Sequence, residues 1–171
     1  RLLPVWQWGS LGYHLPFVNF VIQSHGFAEV PPDVRYISTY PHDIELGMIA
    51  LRLMLPDDRL VDLAQLPYGL AGAALPAAIA RRLGASVRNA SPAGALWLTL
   101  PCVFLQLPTN YVDVGTAAAL LGAVYFLVLE RSLQLPPLLL GAVSLGLFLG
   151  GKPSAPLAAT AIALFVIARG V

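Results

Sequence analysis

From residue 60 onward the chain is a succession of apolar runs separated by short polar joints, and this pattern narrows the available folds more than any other feature. The runs cover residues 60–80, 90–107, 111–129, 133–151 and 153–169. Each approaches the ~20 residues that carry a helix across ~30 Å of hydrocarbon. The joints are Arg81-Arg82-Leu83-Gly84, Pro108-Thr109-Asn110, Glu130-Arg131 and Gly150-Gly151-Lys152-Pro153. Hydrophobic residues make up 57% of the 171 and charged residues only 11%. A soluble domain carries about a quarter charged residues, so this chain has too little polar surface to cover a soluble core. The expected fold is an all-α, polytopic membrane bundle of about five spans, residues 60–171. Small residues such as Ala71-Gly72-Ala73-Ala74 and Ala117-Ala118-Ala119 would let its helix backbones approach closely.

Charge divides the chain. Residues 1–62 hold eleven of the nineteen charged residues and all three histidines. Residues 1–59 are read as an outer polar segment with one or two interfacial helices. Arg81, Arg82 and Arg88 in one joint, Arg131 in another and Arg169 after the last run mark the cytoplasmic side by the positive-inside rule. The segment 1–59 then lies outside, with residues 108–113 and 150–153. Within it, apolar residues at 15, 17, 18, 21 and 22 predict a short interfacial helix over Tyr13–Ser24. Residues 42–55 predict a second helix with acidic residues in its first turn, too short for an ordinary span and ended by Pro56-Asp57-Asp58. A net charge of +1 argues against nucleic acid as a partner. The single Cys102 cannot form an internal disulfide.

The residues that could carry chemistry are His14, His42, Asp43, Glu45, Asp113 and Lys152. Asp113 opens the third apolar run, where a carboxylate either serves a site or simply favours the helix N-terminus. His42, Asp43 and Glu45 form either a metal or acid–base cluster or the solvated first turn of a helix. A metal would need a third ligand, and the sequence nearby offers none. Lys152 is placed to meet a phosphate or to snorkel to the membrane boundary. Tyr13 and His14 border the interfacial helix and suit an aromatic belt equally well. No P-loop, nucleophile elbow, CxxC or HExxH motif occurs.

Several pieces in order resemble the GT-C class of polytopic glycosyltransferases, which includes protein mannosyltransferases and aminoarabinose transferases. They are Trp8-Gly9-Ser10-Leu11-Gly12-Tyr13-His14-Leu15-Pro16, Tyr40-Pro41-His42-Asp43-Ile44-Glu45, Ala80-Arg81-Arg82-Leu83-Gly84, Tyr111-Val112-Asp113 and the turn Gly146–Pro153 ending in Gly150-Gly151-Lys152-Pro153. The resemblance implies a transferase that takes a sugar from a polyprenyl-phosphate donor on the outer face of the bacterial cytoplasmic membrane. It implies Asp43 or Asp113 as catalytic carboxylate and Tyr13, His14 and Lys152 as substrate-binding residues. Glu45 would be the ligand of a divalent metal cation. Lipid-linked sugar and membrane lipids would be the partners. One position departs from the family: four residues before Tyr13, where an Asp acts as general base, this chain has Gly9.

That departure supports an alternative, a non-catalytic membrane subunit derived from such a transferase and held among partner membrane subunits, as in a photosynthetic or respiratory complex. The chain opens on Arg1-Leu2-Leu3-Pro4 without an initiator Met, and is expected to be the N-terminal part of a longer protein. A transporter or channel would want ionisable residues at mid-membrane, which these runs almost lack.

Overall fold

A computed structural model describes residues 5, 7–27, 37, 39–55, 58–130 and 134–170. Every regular element among them is helical. A π-helical turn, Ser10–His14, leads into α1, Leu15–Gln23. After it come α2, Glu45–Met54, and a 3₁₀ stretch, Asp58–Gln65, that continues directly into α3, Leu66–Arg82. The remainder is α4 (Val87–Thr99), α5 (Pro101–Phe104), α6 (Asp113–Ala123, prolonged by π-helical Val124–Leu129), α7 (Leu135–Leu149) and α8 (Ala155–Gly170).

The helices α1 and α2 fall within the two stretches that the sequence predicts to be helical, and both are amphipathic. Phe17, Val18 and Val21 of α1 pack with Met48 and Ile49 of α2, with Val61 and Ala64 of the 3₁₀ stretch and with Val112 ahead of α6. Leu147 of α7 borders the same cluster, so α1 and α2 rest directly on the later helices.

One helical stretch, Leu60–Arg82, is long and apolar enough to cross a membrane. Asp113–Leu129, Leu135–Leu149 and Ala155–Arg169 are shorter apolar helices. The run 90–107 is corrected: it is not one helix. Ser86 caps α4 through Oγ to the Asn89 N–H at 3.3 Å, and the helix stops at Leu100, whose ψ of 126° is extended. Pro101 causes the stop, because its ring crowds the preceding residue out of the helical region. The chain then makes a four-residue helix, α5, and turns.

Glycines set the helix packing. Gly94 of α4 lies against the main-chain carbonyl of Ala73 in α3, too close for a side chain between them. The Trp97 indole covers Gly72 and donates from Nε1 to the Gly69 carbonyl at 3.2 Å. Gln65 joins three elements, donating to Gln106 O at 3.2 Å and accepting from the Gly115 N–H at 3.2 Å. It thereby holds the first turn of α6 against the start of α3. The outward faces of these helices are apolar: Leu70, Leu96, Val143, Leu157, Leu164 and Ile167 are all exposed. Exposed large hydrophobic side chains in such number mark a surface that meets a membrane or another protein.

Candidate functional site

The candidate residues converge at one end of the bundle, where α1 and α2 meet the Gly150–Pro153 turn and the start of α6. His14 ends the π-helical turn and is buried; Glu45 opens α2 and is 1% exposed. The packing of α1 on α2 brings His14 Nδ1 within 2.7 Å of Glu45 Oε1. His42, one turn ahead of Glu45, reaches the same oxygen through its Nδ1 at 3.1 Å. Its Nε2 donates to the Ile37 carbonyl at 2.7 Å, and its ring stacks on Phe17 with centroids 3.6 Å apart. Thus one carboxylate oxygen accepts from two imidazoles.

Burial, the largest influence on the Glu45 carboxyl, pushes it up. The hydrogen bonds and positive charge from His14 and His42 outweigh that and hold it below its ordinary 4.5. Ionised Glu45 accepts a hydrogen bond from each Nδ1. The other ring nitrogen of His14, Nε2, is buried and has no hydrogen-bond partner among the described residues. Glu45 Oε2 is likewise buried without a partner.

Beside this dyad is a cavity of about 220 Å³ walled by Tyr13, His14, Tyr40, Val112, Gly151 and Lys152. Tyr13 stands over His14 with ring centroids 3.9 Å apart and meets Tyr40 edge-on at 5.4 Å. The Tyr13 hydroxyl is pushed up, first by burial and then by the carboxylates of Asp113 and Glu45. Lys152 forms an ion pair with Asp113 at the first turn of α6, and both side chains are partly exposed.

Two glycines make the turn that presents Lys152. Gly150 accepts the Asp43 main-chain N–H at 2.9 Å, and the Asp43 carboxylate occupies the space where a Gly150 side chain would stand. A Cβ on Gly151 would lie 2.5 Å from Thr116 Oγ1, whose hydroxyl donates to the Val112 carbonyl at 2.9 Å.

Of the sequence candidates, Tyr13, His14 and Lys152 line the cavity; Asp113 is bound to Lys152, and Glu45 stands behind His14. Asp43 is not among the lining residues and packs on Gly150 instead. The sequence reading of His42, Asp43 and Glu45 lacked a third partner, and His14 supplies it. Both histidines spend Nδ1 on one Glu45 oxygen. Among the described residues no group of three His, Cys, Asp or Glu is placed to hold a metal ion.

Tyr111 was not among the candidates. Its ring fills the space where a Gly9 side chain would begin, and it meets His14 edge-on at 6.1 Å. Position 9 is therefore a cradle for an aromatic ring. No protein-family model, no curated protein and no solved structure matches this chain.

Proposed function

We propose that the chain is a GT-C-like membrane glycosyltransferase, or the N-terminal portion of one, acting on a polyprenyl-phosphate sugar at the outer membrane face. In this reading the bundle is polytopic, with α3, α6, α7 and α8 crossing and α4 and α5 together making a broken fifth passage. Residues 1–59 are extracytoplasmic, on the bacterial cytoplasmic membrane. The observation that carries the proposal is the meeting of Tyr13, His14, Tyr40 and Lys152 around one cavity, from segments more than a hundred residues apart.

The chemistry follows from the groups present. Transfer to a hydroxyl needs a base for the acceptor proton and a cation for the departing phosphate. His14 suits the first role, because it lines the cavity while Glu45 holds its Nδ1 and so fixes the ring. It would stand in for the absent carboxylate at Gly9. Lys152 suits the second role: on entry of a phosphate its ammonium exchanges Asp113 for the new anion, or is shared between them. Asp43 and Asp113 serve in positioning, through Gly150 and Lys152. A divalent cation at Glu45 belongs to the same proposal, and Oε2, which has no partner among the described residues, would be its ligand atom.

Purified protein, in its full reading frame, should release polyprenyl phosphate from a labelled lipid-linked sugar. His14→Asn should slow that release about 10²- to 10⁴-fold, the usual contribution of a general base. No release over a panel of donors and acceptors would end the enzymatic reading.

A second reading, the non-catalytic subunit, is favoured by one observation: the Tyr111 ring stands where an acid at position 9 would need room. Co-purification with membrane partners in fixed stoichiometry, together with no transfer activity, would select it.

A further inference from the structure

The opposite end of the bundle carries a second, larger opening. The helices α3, α6 and α8 run in the same direction from the site just described, and their last turns surround a cleft of about 770 Å³. Arg82, Leu83, Val128, Leu129, Phe165 and Arg169 line it. Asp113–Leu129 is a 17-residue stretch, so at 1.5 Å per residue the cleft lies about 25 Å from the Asp113–Lys152 pair. It is a separate site.

Its two arginines are fixed by main chain. Arg82 Nε donates to the Leu129 carbonyl at 3.1 Å, and its Nη2 donates to Glu130 Oε1 at 2.6 Å. Arg169 donates from Nη1 to Val128 O at 2.9 Å and from Nη2 to Glu130 O at 2.5 Å. The final carbonyls of α6 and its π-helical extension, which a helix end leaves unpaired, are thus satisfied by two guanidinium groups. A guanidinium has five N–H donors, and each of these uses two in the bonds above. Among the described residues, three per arginine remain. The Glu130 carboxylate pairs with Arg82, whereas Arg169 meets only main-chain carbonyls, so among the described residues the Arg169 charge has no carboxylate against it. Leu83 is 71% exposed and Phe165 45% exposed, which gives the cleft apolar flanks next to its charge.

Fixed guanidinium donors between apolar walls at the end of a lipid-facing bundle match one chemistry, a phosphodiester carrying acyl chains. We propose that this cleft binds the phosphate headgroup of an anionic membrane lipid. The phosphate would take the free N–H groups of Arg82 and Arg169, and the first acyl methylenes would lie along Phe165 and Leu83. Basic pockets between membrane helices take such headgroups by the same physics. The proposal does not depend on the transferase reading.

The test uses the full chain in nanodiscs of phosphatidylcholine alone, and of phosphatidylcholine mixed equally with phosphatidylglycerol. Bound lipid is read by native mass spectrometry and stability by thermal unfolding. Phosphatidylglycerol should be retained and should raise the unfolding temperature. Arg169→Gln should weaken retention about tenfold or more, the loss expected for a charge-assisted hydrogen bond. Arg169→Lys should fall between, keeping the charge and losing the fork. Arg88→Gln, an exposed arginine that does not line the cleft, should behave as wild type. Equal retention in Arg169→Gln and wild type, or an equal loss in Arg88→Gln, would overturn the proposal in favour of diffuse surface charge. The same stabilisation by inorganic phosphate without lipid would overturn it in favour of a free-anion site. If Arg169→Gln does not fold, the Arg169→Lys and Arg88→Gln pair decides, since the fork is lost in one and untouched in the other.

Discussion

Glu45→Ala should destabilise the fold by about 3–5 kcal/mol, the range seen when one partner of a buried charged pair is removed. Glu45 is 1% exposed and its Oε1 is shared by His14 and His42. Without it, His14 keeps no hydrogen-bond partner among the described residues at either ring nitrogen, and His42 retains the Ile37 carbonyl. Glu45→Gln should cost less than Glu45→Ala, because the amide oxygen can still accept a hydrogen bond. Denaturant unfolding in mixed micelles would measure both. A change below about 0.5 kcal/mol for Glu45→Ala, the size of an ordinary surface substitution, would show that α1 and α2 do not depend on this contact.

The same group sets a pH dependence. The folded Glu45 carboxyl is held below 4.5 by the two histidines, so its contribution is present above the unfolded value and is lost as pH falls through the lower folded one. Wild-type protein should therefore lose stability below about pH 4.5, and Glu45→Gln should lose less over that window. A parallel decline in the two proteins would assign the acid sensitivity to other carboxylates.

What the sequence shows and what it hides divide along physical lines. The outer helices were legible because each has an apolar period and a clear stop. The sequence reading of 42–55 became Glu45–Met54, and that of Tyr13–Ser24 became Leu15–Gln23 with the π-helical turn before it. The His42–Glu45 contact follows from i,i+3 spacing on one turn. The His14–Glu45 bond does not, because 31 residues separate them and only the packing of α1 on α2 joins them. The break at Leu100 was masked in another way. A run of apolar residues sums to the same hydropathy whether or not its backbone is continuous, and Pro101 was the one local mark of the extended residue before it.

Gly9 illustrates a third case. Read against a family pattern it is a missing acid; in the fold it is the space that admits Tyr111 beside His14. A substitution pattern alone carries the loss, whereas the reason for the glycine depends on a ring about a hundred residues away.

The glycines of the bundle offer the second large expected effect. Gly94→Ala should destabilise by roughly 2–4 kcal/mol, from overpacking together with the loss of a hydrogen bond. The new Cβ would meet the Ala73 carbonyl, and a main-chain atom inside a helix cannot rotate away. The α3–α4 pair would have to separate. That would lift Trp97 from Gly72 and break its bond to Gly69 O. Gly146→Ala in α7 is the matched control. Nothing lies within 4 Å of its Cβ position, so alanine there should be neutral or add up to about 1 kcal/mol through helix propensity. Equal responses at the two sites would mean that both glycines face lipid and that α3 and α4 do not pack closely. A large loss at Gly94 alone would have a consequence for the site as well. Gln65, immediately before α3, holds the Gly115 N–H in the first turn of α6, where Asp113 meets Lys152. A displaced α3 would shift that turn, so Gly94→Ala should weaken the Asp113–Lys152 pair beside the Tyr13–His14 cavity without touching any residue that lines it.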